Sequence, residues 1–298
     1  MNEKKKCPNC GLLIDSDMEK CPYCGYVIKS DDYKANETKM VVDNKVEEKP
    51  KFKIDKNVIK FNEPRDVSIV KEISLFLTVF IGLSLINILV AYIVKLIDAE
   101  YLKTTNGVGV INLASYAILF ITLMLILIKD YKKVFTNFIK NRTYLYGVAY
   151  GFLNILITAT YSYIVTYFYP GFSQNDNENS LEAIIKIYPI LSVLIFGIIG
   201  PMCEEIGYRL GLFSVLRRWN RPMAYVLVGI IFGFIHFDYT STNLIIEFLN
   251  LPAYIFAGLL FSYIYDKEGI ETSMTAHITN NVFSIVMTIL SGVATNAK

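Results

Sequence analysis

The sequence has few charged residues outside its first quarter. Residues 1–72 carry 15 basic and 14 acidic side chains, and the remaining 226 residues carry only 14 and 13. Apolar residues make up 53% of the chain, and its mean hydropathy is +0.40. Long stretches with so little charge exclude an ordinary soluble enzyme and favour a membrane protein. The net charge of +2 gives no reason to expect a nucleic-acid partner.

Cysteine is also scarce, and its placement excludes a disulfide-stapled secreted domain. Four of the five cysteines form two CPxCG motifs, with Cys7 and Cys10 in the first and Cys21 and Cys24 in the second. Two such motifs supply the four thiolates of a tetrahedral structural Zn²⁺ site. Residues 1–30 therefore predict a small zinc ribbon. A thioredoxin-type redox pair or a set of loose thiols is the alternative, but a redox motif would not occur twice.

No signal peptide precedes these cysteines, so we expect the ribbon to lie in the cytosol, where it can dock a protein partner. Residues 31–70 are rich in Lys, Glu and Asp and predict a charged flexible linker. Residues 71–170 predict N-terminal transmembrane helices, and residues 180–292 predict a helical core. The fold class is therefore an all-α, polytopic membrane protein with an N-terminal zinc ribbon.

The apolar stretches predict seven membrane spans, each near the ~20 residues needed to cross a bilayer. An eighth helix results if the long fourth stretch divides, and Gly197, Gly200 and Pro201 are expected to kink it. The spans are 73–95, 107–128, 144–168, 184–216, 222–238, 243–265 and 272–292.

Basic loops at 129–142 and 217–221 predict that the N-terminus is cytosolic, and the acidic loop 170–182 is expected on the outside.

Ionisable residues inside predicted spans are costly and usually mark function. In the fourth span, Glu205 and Arg209 are spaced i, i+4, so they share a helix face and form a pair in the favourable order. Glu204 is turned about 100° away and is left to face a cavity, where Tyr208 could donate a hydrogen bond. A single buried polar clamp of all three charged residues is the structural alternative.

Both histidines of the chain, His236 and His277, also fall in predicted spans. Glu204 and His236 lie 16 residues on either side of the turn near Asn220, so an antiparallel hairpin would bring them to the same depth. His277 and Asn281, again spaced i, i+4, lie at a shallower depth. The mismatch disappears if the arginine-rich turn at 217–221 protrudes into the cytosol.

These residues resemble the three motifs of the CPBP (Abi) family, which comprises intramembrane proteases related to type II CAAX prenyl endopeptidases and bacteriocin self-immunity proteins. The resemblance covers about residues 180–290. The motifs are Glu204-Glu205-x-x-x-Arg209, Phe232-x-x-x-His236 and His277-x-x-x-Asn281.

The resemblance implies an intramembrane endopeptidase that hydrolyses a peptide bond of a membrane-associated or lipid-modified protein. In it, Glu204 with His236 would deprotonate water, and His277 with Asn281 would stabilise the oxyanion. Glu205, Arg209, Tyr208 and Phe232 would support them.

Two alternatives stay open. Glu204, His236 and His277 could instead form a catalytic metal site, since a His₂Glu set is common for zinc and the family is often called metalloprotease. The second alternative is a non-proteolytic scaffold or bacteriocin-immunity protein that binds membrane partners. Outside these motifs, a polar stripe on the sixth span, formed by Asn243, Glu247 and Asn250, predicts a solvated rim.

The zinc assignment is directly testable. We expect metal analysis of a soluble 1–35 fragment to give one zinc per chain, because two CPxCG motifs supply one closed thiolate set. Such a short segment cannot fold without its metal, so a fragment that stays folded after chelation would contradict the assignment.

Overall fold

A computed structural model describes residues 4–6, 13–15, 18–20, 27–28, 67–135 and 143–296. The chain divides into two compact units, Met1–Pro64 and Arg65–Lys298. The helical unit confirms the predicted fold class, an all-α membrane protein.

The N-terminal unit contains a short antiparallel pair, β1 (Lys4–Lys6) and β2 (Leu13–Asp15), in which Lys5 is opposite Ile14. A second pairing joins Lys20 to Val27. In the sequence, each CPxCG motif falls between two paired segments. The predicted zinc ligands Cys7, Cys10, Cys21 and Cys24, and most of the predicted linker, lie outside the described residues.

Eight helices make up the second unit in its described part. They are α1 (Ile69–Ile97), α2 (Thr105–Leu127), α3 (Thr143–Phe168), α4 (Asp176–Ile187), α5 (Pro189–Arg217), α6 (Arg221–Phe234), α7 (Leu244–Glu268) and α8 (Ile270–Asn296). Among the described residues, α1, α2, α3, α5 and α7 are long and apolar enough to cross a membrane. Helix α6 is apolar but shorter.

Seven of these helices correspond to the seven predicted spans, and the eighth is α4. The expectation that residues 170–182 form only an outer loop is wrong, because α4 begins within them. The Asn175 side chain caps this helix by accepting a hydrogen bond from the Glu178 N–H at 2.9 Å. Its apolar side is anchored by Ile184 and Ile185, which are buried.

Helix α5 is continuous but changes geometry twice. Val193–Ile199 and Glu205–Phe213 are π-helical, and the intervening Gly200–Glu204 turn is α-helical with Pro201 near its start. Proline has no N–H to donate, so the regular hydrogen-bond ladder is interrupted there. The predicted kink region is therefore a region of π turns, which are frequent at functional sites.

Three arginines at the end of α5 and the start of α6 pack against carboxylates. Arg218 binds Glu72 of α1 through both guanidinium nitrogens, one of them at 2.7 Å. Arg217 and Arg221 both pair with Asp266 of α7. The three arginine side chains expose only 8%, 13% and 16% of their surface. The expected protrusion of this turn into solvent is therefore wrong.

The core of the helical unit lies where α5 meets α1, α2, α7 and α8. Its fully buried apolar side chains include Leu75, Leu119, Leu123, Ile206, Phe213, Phe232, Phe261, Ile264 and Met274. Within it, α5 approaches α1 so closely that a Cβ added at Gly207 would lie 2.5 Å from the Val79 Cβ. The contact therefore requires glycine.

We expect Gly207→Ala to destabilise the helical unit by about 1–3 kcal/mol, because the added methyl group overpacks a closed contact. The matched control is Gly82→Ala on α1, where the new Cβ would lie 3.7 Å from the Thr78 Cγ2, an ordinary contact. Thermal unfolding in detergent checks the pair. Equal melting temperatures for the two variants would contradict this packing.

Candidate active site

Glu204 and Glu205 stand at the junction of two helical geometries in α5. Glu204 ends the α-helical turn, and Glu205 begins the π-helical segment. Consecutive residues point in different directions on a helix, so the two carboxylates have different surroundings. The Glu205 side chain is fully buried, whereas that of Glu204 exposes 14% of its surface at the wall of a cavity.

Glu205 is held by three side chains. Arg209 Nη1 lies 3.0 Å from its Oε1, and His277 Nδ1 lies 2.9 Å from the same oxygen. The Ser273 hydroxyl lies 2.5 Å from Oε2. The structure thus places Glu205 and Arg209 in contact, as their i, i+4 spacing indicates. It adds two partners from α8 that the motif spacing did not reveal.

The buried Arg209 guanidinium also has partners beyond Glu205. Its Nη2 donates to the Gly258 carbonyl oxygen of α7 at 3.3 Å, and its Cζ lies 4.3 Å from the ring centroid of Phe232. A cation over an aromatic face is attracted by the ring quadrupole. Phe232 is thereby a packing support for the charged pair, which is the kind of role that its motif position implies.

His277 lies between the two carboxylates. Because its Nδ1 faces the carboxylate paired with Arg209, that nitrogen carries a proton and donates it to Glu205. Its Nε2 faces Glu204 Oε2 at 3.8 Å, which is too long for a direct hydrogen bond. Within the described residues, Glu204 Oε2 is buried and has no hydrogen-bond partner. The ring is stacked against Phe261, with centroids 4.5 Å apart.

His236 does not lie within a helix, as the sequence predicted, but in the turn that follows the end of α6 at Phe234. Its Nδ1 is 2.8 Å from the Phe232 carbonyl oxygen, which can only accept, so Nδ1 carries the proton. In the neutral ring, Nε2 is then the acceptor. No hydrogen bond or ion pair joins His236 to Glu204 in this structure, and the expected contact between them is absent.

Asn281 is fixed by a row of amides. Its Nδ2 donates to the Phe196 carbonyl oxygen at 3.2 Å, and its Oδ1 accepts from Asn280 at 3.1 Å. Asn280 in turn accepts from Asn154 of α3 at 2.9 Å. An amide nitrogen carries two N–H groups, so Asn281 keeps a second donor for a ligand.

One cavity of about 940 Å³ connects the predicted catalytic residues. Glu204, His236, His277 and Asn281 all line it. Tyr208 lines it as well, but its ring packs edge-on against Phe232 and Phe76, and it makes no hydrogen bond to Glu204. The fold therefore brings the three motifs to a single chamber, although their residues do not all touch.

The three donors of the alternative metal site do not form a ligand set. Only His277 approaches Glu204, while the His236 ring is stacked on Tyr254 with centroids 4.5 Å apart. No group of three or more His, Cys, Asp or Glu side chains in the described part of the chain is arranged to hold a metal ion. The donor geometry thus does not fit a resident His₂Glu metal.

Glu247 is not part of a solvated rim, and that expectation is wrong. Its side chain is 1% exposed, and its two oxygens accept hydrogen bonds from the backbone N–H groups of Asp176 and Asp238. Asn250 is also buried. A lone carboxylate within an apolar stretch was the available signal, but only the fold shows which segments it joins.

We expect Glu205→Gln to lower the stability of the helical unit by about 3–5 kcal/mol, because it leaves Arg209 buried without its countercharge. Glu204→Gln is the matched comparison: it removes a carboxylate that makes no direct hydrogen bond, so it should melt near wild type. The double variant Glu205→Gln, Arg209→Met should recover part of the loss. Detergent melting curves check all three, and early melting by Glu204→Gln alone would reverse the two roles.

Comparisons with known proteins bear on the same residues. Residues 186–283 match the family model of the type II CAAX prenyl endopeptidase Rce1-like proteins, and residues 3–28 match a zinc-ribbon domain. No solved structure shows a significant match.

Two curated relatives are similar over part of their length. An uncharacterized protein of Mycoplasma capricolum subsp. capricolum is 25% identical over 171 residues, which cover 53% of this chain and 48% of that protein. The "Putative membrane peptidase YdiL" of Bacillus subtilis is 26% identical over 116 residues, covering 38% and 43%. The chain thus spans less than half the length of these relatives.

The first family match contains all the residues of the three motifs, and the second contains all four cysteines of the CPxCG pairs. Together with several apolar helices, these matches support a multi-pass intramembrane protease. The predicted family is confirmed at its core: residues 186–283 are an Rce1-like domain, and residues 3–28 are a zinc-ribbon domain.

Proposed function

We propose that this protein is an intramembrane endopeptidase that hydrolyses a peptide bond of a membrane-associated or lipid-modified protein. The observation that carries the proposal is the placement of His277. One nitrogen of its ring is held by a buried carboxylate, and the other faces the unpartnered oxygen of Glu204 at a cavity wall. Structural ion pairs leave no such carboxylate oxygen unused.

Glu204 is the proposed general base. A carboxylate at the wall of a mostly apolar cavity is poorly solvated, and it can take a proton from water more readily than a solvated one. Glu205 cannot serve, because Arg209, Ser273 and His277 occupy its oxygens. His236 offers a second acceptor, Nε2, in the same cavity. Water held between these two groups would be activated as the nucleophile.

His277 and Asn281 are the proposed oxyanion donors. The second N–H of Asn281 is available to a ligand, and protonated His277 presents its Nε2–H to the cavity. Glu205 orients His277 and stabilises its charged form, in the way that a buried carboxylate positions a catalytic imidazole.

The proposed reaction has two steps. Glu204 removes a proton from water, the remaining hydroxide bonds to the scissile carbonyl carbon, and the carbonyl oxygen becomes an oxyanion. The C–N bond then breaks as the carbonyl re-forms, and the leaving nitrogen takes the proton from Glu204. The products are a carboxylic acid, which ionises, and an amine. No step is assigned to a metal ion, because the donor geometry does not fit one.

The substrate is a membrane protein or peptide, and prenylation is not implied by the chemistry of the site. A cytosolic N-terminus, predicted from the basic loops, would expose the zinc ribbon to a cytosolic protein partner. The ribbon would bind its structural Zn²⁺ through Cys7, Cys10, Cys21 and Cys24.

The test is cleavage of a panel of membrane-anchored fluorogenic peptides by the purified full chain in proteoliposomes. We expect Glu204→Gln to lower the rate by about 10²–10⁴-fold, because it removes the base while keeping the shape of the side chain. Glu268→Gln is the control, since this exposed carboxylate on α7 does not line the cavity.

Rates are normalised to folded protein by the melting amplitude of each preparation. Cleavage by wild type and by Glu268→Gln, with loss in Glu204→Gln, supports the endopeptidase. If Glu204→Gln cleaves at the wild-type rate, or if wild type cleaves no peptide of the panel, the proposal fails and a binding scaffold becomes the better hypothesis.

A further inference from the structure

His236 sits on a segment that is secured by elements other than its own helix. Helix α6 ends at Phe234, and the chain then runs irregularly to the start of α7 at Leu244. The Asn175 side chain, at the start of α4, donates to the His236 carbonyl oxygen at 3.1 Å. A histidine on an irregular segment has no helical ladder to fix it, so contacts from α4 and α7 must do so.

Glu247 supplies the first of these contacts from α7. Its Oε2 accepts a hydrogen bond from the Asp238 N–H at 3.0 Å, two residues after His236. Its Oε1 accepts from the Asp176 N–H at 2.9 Å, in the first turn of α4. Hydrogen bonds to a buried carboxylate are about twice as strong as neutral ones. One carboxylate therefore ties the His236 segment to both α4 and α7.

Tyr254 supplies the second contact. It follows Glu247 by seven residues, so the two lie on the same face of α7. Its ring is stacked on the His236 imidazole, with centroids 4.5 Å apart and planes 12° apart. Its hydroxyl donates to Glu178 Oε1 of α4 at 2.7 Å, which fixes the orientation of the ring.

We propose that Glu247 and Tyr254 are positioning residues, which hold the His236 imidazole at the cavity wall. Glu247 fixes the backbone on which His236 stands, and Tyr254 fixes the plane of its ring. Neither contacts Glu204, Glu205 or His277, so their effect on the reaction passes through His236. The catalytic meaning of this role rests on the proposed function, but the positioning itself can be measured without a substrate.

The chain contains only two histidines, so a sample labelled with ¹³C at histidine Cε1 gives two NMR signals. The full chain is purified with a histidine-free tag, placed in nanodiscs and measured at about pH 8, where ordinary imidazoles are neutral. His236→Gln assigns the signals. In wild type, stacking on Tyr254 should shift the His236 proton by the ring current of that aromatic ring.

We expect Tyr254→Leu to abolish this ring-current shift and Glu247→Ala to broaden the His236 signal, while the His277 signal stays in place. Tyr254→Phe keeps the stacked ring and should retain the wild-type position. Glu247→Gln keeps one acceptor oxygen and should fall between Glu247→Ala and wild type. The matched controls on α7 are Tyr263→Leu and Glu268→Ala, which remove exposed side chains.

The His277 signal reports whether each variant has folded, and a variant that loses it is replaced by its conservative partner. A His236 signal that stays at its wild-type position and linewidth in folded Tyr254→Leu and Glu247→Ala, or moves equally in the controls, overturns the proposal. Because the readout is a resonance, a lack of peptidase activity would count against the proposed function without altering this result.

Discussion

Burial of the Glu205–Arg209 ion pair is the constraint on which the arrangement of the core depends. Removing two charges from water costs several kcal/mol for each, and the mutual attraction of the pair offsets this only when other groups satisfy the remaining donors and acceptors. Those groups come from two other helices: the Gly258 carbonyl from α7, and Ser273 and His277 from α8. Helices α5, α7 and α8 are therefore held in one relative position by the needs of a single charged pair.

The same requirement explains how the site is built. Because Glu205 uses His277 as a hydrogen-bond donor, the imidazole is turned so that its other nitrogen faces Glu204. Ring contacts then fix its plane, since Phe261 stacks on His277 and Phe232 lies beneath the guanidinium of Arg209. A stabilising interaction and a chemically poised group thus share one histidine.

The candidate site could be predicted in part from sequence, for reasons that differ between residues. The i, i+4 spacing of Glu205 and Arg209 is local, and helical geometry alone brings the two together. The approach of Glu204 to His236 was inferred from equal distances to a turn, and it fails because α6 ends before His236. The π turns of α5 also change the number of residues per turn, so depth counted along regular helices is inaccurate.

Apolar runs determined the number and approximate bounds of the long helices, because crossing a bilayer requires about 20 apolar residues whatever surrounds them. The motifs likewise determined which polar residues share a helix face. Tertiary structure alone decided that Glu247 ties the His236 segment to α4, that α4 is a helix rather than a loop, and that His277 stands between two carboxylates. The physical reason is that periodicity specifies which side of a helix is polar, whereas the partner of that side is chosen by packing between segments far apart in the chain.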